Sequence, residues 1–304
     1  MLKGRDCISI RDFEKKEIEL LLSKAAEMDK ALEAGKQLNL QDGKIVATCF
    51  FEPSTRTKMS FHTAAKRIGA KIINLTSVAS SSMKKGETLA DTLRMVDVYA
   101  DMIIMRHPVE GSARYGAEVC DSPLINGGDG GNQHPTQTLL DLFSINKMKG
   151  GIEGQDVYLL GDLKYARTMR SLLYGLAMFG ANVTLMAPKG LEMEARYVQE
   201  VKEKFGANIK TSSKLDLTGA DVAYICRIQK ERFMDPYEAE KAKKAFRITP
   251  DALKGVKDDL VLLHPLPKID ELDPRIDNTK HARYFEQAFL GVPMRMALMN
   301  EIFG

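Results

Sequence analysis

Two successive blocks of alternating strand and helix patterns predict an α/β chain of two doubly wound domains, each with a mainly parallel sheet flanked by helices. Three observations support this. The alternation begins near Lys44, pauses at Lys149-Gly150-Gly151 and restarts at Asp156. Polar clusters follow five of the expected strands, at the carboxyl ends where open α/β sheets bind ligands. At 304 residues the chain is long enough to bury two cores. The expected division is 1–149 with the helical run 284–304 packing back on it, and 150–283.

Ser9 to Lys36 opens on a helix cap, Ser9-Ile10-Arg11-Asp12, and carries Leu20, Leu21, Leu22 and Ala25 on its inner side. Lys44 to Phe51 is apolar, rich in β-branched and aromatic residues, and reads as a buried strand. Pro53 ends it, and from Thr57 to Gly69 the pattern is helical. Lys71–Leu75 is a short strand, Thr76–Lys85 a serine-rich loop, Thr88–Tyr99 a helix and Met102–Arg106 a strand. Gly111–Val119 reads as a helix and Pro123–Asn126 as a strand. A turn with four glycines, Gly127 to Gly131, precedes helix Thr138–Met148. In the second block the strands are Asp156–Leu160, Asn182–Met186, Asn208–Lys210, Val222–Cys226 and Leu260–Leu263. Its helices are Thr168–Phe179, Glu192–Phe205 and Pro236–Phe246. The last run, Tyr284–Phe303, is expected to break into two helical pieces at Gly291-Val292-Pro293.

The composition narrows the function classes. Hydrophobic residues make up 44% and charged residues 28%, as in an ordinary globular enzyme. The net charge of +3 is dispersed, with no basic tail, so nucleic acid is not an expected partner. No apolar run approaches a membrane span of roughly 20 residues, and the N-terminus carries no apolar signal region. The four cysteines, Cys7, Cys49, Cys120 and Cys226, are scattered, as are the five histidines. Reduced thiols in a cytoplasmic protein without a metal or other cofactor are the expectation.

The sharpest local signal is Ser54-Thr55-Arg56-Thr57, at the start of the helix after the first strand. Unpaired backbone amides, the positive helix end, three hydroxyls and a guanidinium converge there, which is an arrangement for a phosphate. The other strand ends carry Arg106-His107, His134 with Gln137, Arg167, Arg227 with Gln229, and His264. Leu160-Gly161-Asp162 is not followed by GxGxxG, so a nicotinamide site is not expected. No carboxylate pair, Ser-His-Asp order or GxSxG elbow is visible. Fixed positive donors are abundant and candidate bases scarce. Such an inventory suits a reaction between two anions driven by positioning and charge stabilisation.

Several of these stretches resemble the aspartate/ornithine carbamoyltransferase family over about the whole chain. They are Phe51-Glu52-Pro53-Ser54-Thr55-Arg56-Thr57, Lys84-Lys85-Gly86-Glu87-Thr88-Leu89-Ala90-Asp91, Met105-Arg106-His107-Pro108 with Glu110-Gly111, Asn132-Gln133-His134-Pro135-Thr136-Gln137, and His264-Pro265-Leu266-Pro267. Within the family the chain is more similar to the catalytic chains of the aspartate branch. Ornithine members carry His-Cys-Leu-Pro in place of His264-Pro265-Leu266-Pro267 and lack the Lys-Lys-Gly-Glu loop. Arg167 and Arg227 also suit the two carboxylates of aspartate better than an ammonium.

The resemblance implies a carbamoyl phosphate-binding first domain, an aspartate-binding second domain and a step of pyrimidine biosynthesis. It implies that the phosphate of carbamoyl phosphate lies against Ser54, Thr55, Arg56, Thr57 and Arg106. Thr57, Arg106 and His134 would polarise the carbonyl; Gln137 and the main-chain oxygens of Pro265 and Leu266 would hold the carbamoyl NH₂. Aspartate would dock on Arg167, Arg227 and Gln229. The loop of Ser81 and Lys85 would enter a neighbouring subunit's site, implying a homotrimer with shared active sites, and Glu52 would pair with Arg167 and Arg232 on closure. Regulatory chains stay open as partners. Another amine such as ornithine, and a homologue without turnover, are the alternative readings.

Overall fold

The computed structural model describes residues 2–75, 86–228 and 235–304. The chain forms two compact units, Met1–Phe143 with Phe289–Gly304, and Ser144–Ala288. Each holds one fully parallel sheet, of the doubly wound kind the alternation predicts.

In the first unit, a 3₁₀ turn at Ile10–Asp12 precedes α1 (Lys15–Glu33). The single helix expected from Ser9 is thus two pieces. The Ser9–Asp12 capping box opens the first, and Glu17 caps the backbone of Glu14 to begin the second. Leu21, Leu22 and Ala25 are buried, but Leu20, expected inward, is 38% exposed. Next come β1 (Ile45–Phe50), α2 (Thr55–Arg67), β2 (Lys71–Leu75), α3 (Leu89–Asp97), β3 (Met102–His107), α4 (Ser112–Val119), β4 (Leu124–Asp129) and α5 (Pro135–Lys149), whose last residues from Ser144 belong to the second unit. The sheet order is β2-β1-β3-β4. Ala47, Cys49, Ile103, Met105 and Leu124 alternate onto one face and pack with Leu93 of α3 and Ala113 of α4 into a buried cluster.

Two of the boundaries that differ from expectation bear on the site. β4 runs on through Gly127-Gly128-Asp129 instead of turning at Gly127. The glycines suit the close approach of β3 and the segment after it: a Cβ on Gly127 would sit 3.2 Å from the Met105 carbonyl oxygen, and one on Gly130 2.8 Å from that of Pro108. α5 starts at Pro135, earlier than the Thr138 expected. Proline suits a first helical position, where its missing N–H is not needed.

The second unit contains β5 (Asp156–Leu160), α6 (Arg167–Met178), β6 (Asn182–Met186), α7 (Ala195–Phe205), β7 (Ile209–Ser212), β8 (Val222–Ile225), α8 (Pro236–Ala245) and β9 (Val261–Leu263), in sheet order β7-β6-β5-β8-β9. Finally α9, which belongs to the first unit from Phe289 onward, runs unbroken from Tyr284 to Phe303 with Pro293 inside it. The expected break does not occur. An internal proline costs about 3 kcal/mol. Against it, Leu290, Met294, Met296, Leu298, Met299 and Ile302 are all at least 98% buried, and each such side chain contributes about 1.5–3 kcal/mol. Among the described residues no helix is long and apolar enough to cross a membrane.

Candidate active site

Doubly wound sheets bind ligands where the strand order reverses. In the first sheet that point lies between β1 and β3, since β2 is added on one side and β3 and β4 on the other. Phe50 pairs with Arg106 across it, and the Phe51 amide donates to the Arg106 carbonyl at 2.8 Å. The segment after β1 and the end of β3 are therefore adjacent.

α2 begins there. Ser54 is its N-cap residue, in extended backbone conformation and without a side-chain capping bond. The first intrahelical bond runs from the Lys58 amide to the Ser54 carbonyl, so the amides of Thr55, Arg56 and Thr57 have no helical acceptor. Thr57 is buried and Arg56 exposed. Desolvation, and then the charge of Arg106, hold the Arg56 guanidinium below its ordinary pKa. A partly desolvated guanidinium beside a second like charge forms a site that an anion relieves.

Arg106 is buried, at 9% exposure. Desolvation lowers its pKa, opposed by Glu52, whose Oε2 lies 2.8 Å from Nη2. Nη1 donates to the Gly127 carbonyl at 3.0 Å, and the buried Nε has no hydrogen-bond partner among the described residues. The guanidinium is thus fixed by β4 and Glu52, with its Nε–H still to use. Glu52, expected to pair with Arg167 and Arg232, stands against Arg106 here.

The loop from β4 to α5 is fixed by a fully buried acid that sequence reasoning did not single out. Asp129 accepts from Asn126 Nδ2 (2.9 Å), Asn132 Nδ2 (3.0 Å) and the amides of Gln133 (3.0 Å) and Gly111 (2.9 Å). It holds the turn that delivers His134 immediately before α5. His134 is buried, with Nδ1 3.5 Å from Thr136 Oγ1. Gln137, one turn on, donates Nε2 to Asp141 Oδ1 at 2.9 Å, which orients its amide.

In the second sheet the order reverses between β5 and β8. Gly161 ends β5 at φ +108°, and a Cβ there would lie 2.1 Å from the Cys226 carbonyl oxygen. Asp162 then accepts from the Tyr165 amide at 2.9 Å and shapes the turn that starts α6 at Arg167. Arg227 follows β8, which pairs with β5 up to Leu160–Ile225. Arg167 and Arg227 are both half-buried and stand after neighbouring strands at the switch point. Pro265 and Leu266 are half-buried after β9, the next strand in the sheet. Ser81, Lys84, Lys85, Gln229 and Arg232 lie outside the described residues. Among the described residues no group of three or more His, Cys, Asp or Glu side chains is gathered for a metal ion.

The family model of the aspartate/ornithine carbamoyltransferase carbamoyl-P binding domain matches residues 5–147, and that of the Asp/Orn binding domain residues 153–302. The chain is 49% identical over 306 residues to the aspartate carbamoyltransferase catalytic subunit of Thermococcus kodakarensis, covering 99% of this chain and 98% of that one. It is 47% identical over 299 residues to that of Archaeoglobus fulgidus, covering 98% and 99%. The solved catalytic subunit of M. jannaschii aspartate transcarbamoylase matches with a TM-score of 0.92 at 43% identity, covering 98% of this chain and 97% of that one. Aspartate transcarbamoylase from Trypanosoma cruzi, in complex with carbamoyl phosphate, matches with a TM-score of 0.95 at 36% identity, covering 100% and 97%. The chain belongs to the aspartate/ornithine carbamoyltransferase family.

Proposed function

We propose that the chain transfers the carbamoyl group of carbamoyl phosphate to the α-amine of L-aspartate, giving N-carbamoyl-L-aspartate and phosphate. The carrying observation is the pair of guanidiniums, Arg56 and Arg106, set against the N-terminal end of α2 at the switch point of the first sheet. A T. cruzi relative that matches at 35% identity is described in complex with carbamoyl phosphate and aspartate, which supports the substrate pair.

In this reading the phosphate lies on Ser54, Thr55, Arg56, Thr57 and Arg106, in charge-assisted bonds. Thr57, Arg106 and His134 face the carbonyl oxygen and stabilise the oxyanion as the neutral amine attacks. Gln137 and the carbonyls of Pro265 and Leu266 accept from the carbamoyl NH₂. Arg167, Arg227 and Gln229 bind the carboxylates of aspartate. The new C–N bond forms, the C–O bond to phosphate breaks, and the departing phosphate takes the amine proton. That proton path needs no dedicated side-chain base. Ser81 and Lys85 act on a neighbouring subunit's site in a homotrimer. Four free thiols fit a reducing cytoplasm.

Calorimetry separates the two anion sites. Arg227→Ala is expected to leave carbamoyl phosphate affinity, measured without aspartate, within about twofold, while raising the KM for aspartate at least about tenfold, the loss of one charge-assisted contact. Equal weakening of both substrates would contradict the division between them.

A further inference from the structure

Leu266 has φ +56° and is the single non-glycine residue with positive φ among the described residues. A leucine does not adopt this region without something to hold it there. The holding group is the side chain two residues earlier: the Leu266 amide donates to His264 Nδ1 at 2.8 Å. His264 Nε2 in turn lies 2.8 Å from Glu271 Oε1, and the His264 amide donates to Gln287 Oε1 at 2.8 Å. Glu271 also accepts from the amides of Ile269 (3.1 Å) and Asp270 (3.2 Å). The side chains of His264 and Glu271 are 1% and 6% exposed.

These partners assign the protons. Nδ1 faces an amide N–H and must present a lone pair, so the ring proton sits on Nε2 and points at the Glu271 carboxylate. The imidazole becomes a rigid spacer between a buried acid and one loop amide. The planar trans peptide does the rest. The N–H of Leu266 and the C=O of Pro265 belong to the same peptide unit and point in opposite directions. Pinning that N–H onto His264 therefore turns the Pro265 carbonyl away from the imidazole. We propose that Glu271 and His264 are positioning residues, which aim the Pro265 carbonyl at the carbamoyl NH₂ without touching substrate. The inference rests on the reading that this carbonyl accepts from the NH₂, and it adds two residues to which no role had been attached. His264 alone looked like a strand-end histidine, and Glu271 is one acid among several in Asp270-Glu271-Leu272-Asp273.

Acetyl phosphate tests it, because its methyl group replaces the NH₂ and cannot donate. Affinities for carbamoyl phosphate, acetyl phosphate and inorganic phosphate are measured calorimetrically on the full-length protein without aspartate. The wild type is expected to prefer carbamoyl over acetyl phosphate. Glu271→Leu should cut that preference at least tenfold and leave inorganic phosphate within twofold. Glu271→Gln, which keeps an acceptor for Nε2–H, should retain it. His264→Asn keeps an acceptor for the N–H two residues on and should also retain it, whereas His264→Gln should not. An unchanged preference in Glu271→Leu overturns the proposal, and so does a parallel loss for all three ligands, which marks a merely structural role. Should Glu271→Leu fail to fold, equal preference in His264→Asn and His264→Gln overturns it instead. A wild type without preference overturns the underlying reading of the Pro265 and Leu266 carbonyls, a failure visible before any variant is made. Nitrogen-15 spectra of the imidazole give an independent readout: Nδ1 should resonate as an unprotonated nitrogen.

Discussion

Gly161 shows how much one residue contributes to the second sheet. Any side chain there combines a left-handed φ of +108° with a Cβ 2.1 Å from the Cys226 carbonyl oxygen. Backbone has little freedom to retreat, so Gly161→Ala should lose at least about 3 kcal/mol in urea unfolding. Near-normal stability would show that β5 and β8 do not meet as described. Arg56→Ala should lower kcat/KM by at least about 3 kcal/mol, more than a hundredfold, by removing a charge-assisted phosphate donor. Glu271 gives a pH dependence. Burial raises its pKa, but the bonds from His264 and the loop amides outweigh that, and the net shift is below the ordinary 4.5. A depressed carboxyl stabilises the fold above its unfolded pKa and loses that contribution as pH falls through the folded one. The Tm gap between wild type and Glu271→Gln should be open at neutral pH and close as pH falls below 4.5. At this scale the cations were legible, because Arg and His at strand ends stand out from apolar strands. The buried acids Asp129, Asp141 and Glu271 were not, since nothing in the sequence separates an anchored carboxylate from a solvated one.

α9 is the element whose sequence pattern misled. Gly291 and Pro293 are helix breakers by local propensity, yet tertiary packing keeps the helix continuous. Gly291 is present for close approach: its Cβ would lie 2.4 Å from Arg295 Nη1 and 3.2 Å from Leu140 Cδ2. Arg295 cannot easily yield. It is fully buried, donates to Ser60 Oγ at 2.9 Å and the Gly291 carbonyl at 3.1 Å, and lies 4.9 Å from the Phe61 ring centre. Burial, partly offset by the charge of Asp141, brings its pKa to about 10, so it stays charged at neutral pH. An exposed helical Gly→Ala normally gains about 1 kcal/mol. Here overpacking should reverse the sign, at a cost of about 1–3 kcal/mol read as a lower Tm. A stabilised Gly291→Ala protein would show that this contact is loose. Strand positions were legible because buried parallel strands are continuous apolar runs. Helix starts are less so: Pro135, three residues before the expected Thr138, is the first residue of α5.

For the whole molecule, the two sheet orders place the conspicuous polar clusters at or beside two switch points, and that distribution was visible as cations recurring after strands. Assembly is a different matter: Ser81 and Lys85 have no role that one chain's pattern could reveal, and they lie outside the described residues. Mixing tests the shared site. Lys85→Ala and Arg56→Ala chains, each nearly inactive alone, should regain activity when dissociated and reassociated together, because some pockets then combine an intact Arg56 with a neighbour's intact Lys85. No recovery would refute a trans-acting Lys85. The central claim, carbamoyl transfer to aspartate, is tested most directly by supplying labelled carbamoyl phosphate with equal concentrations of L-aspartate and L-ornithine and identifying the carbamoylated product. The expected result is N-carbamoyl-L-aspartate formed one-for-one with phosphate; carbamoylated ornithine as the main product, or no carbamoyl transfer at all, would contradict it.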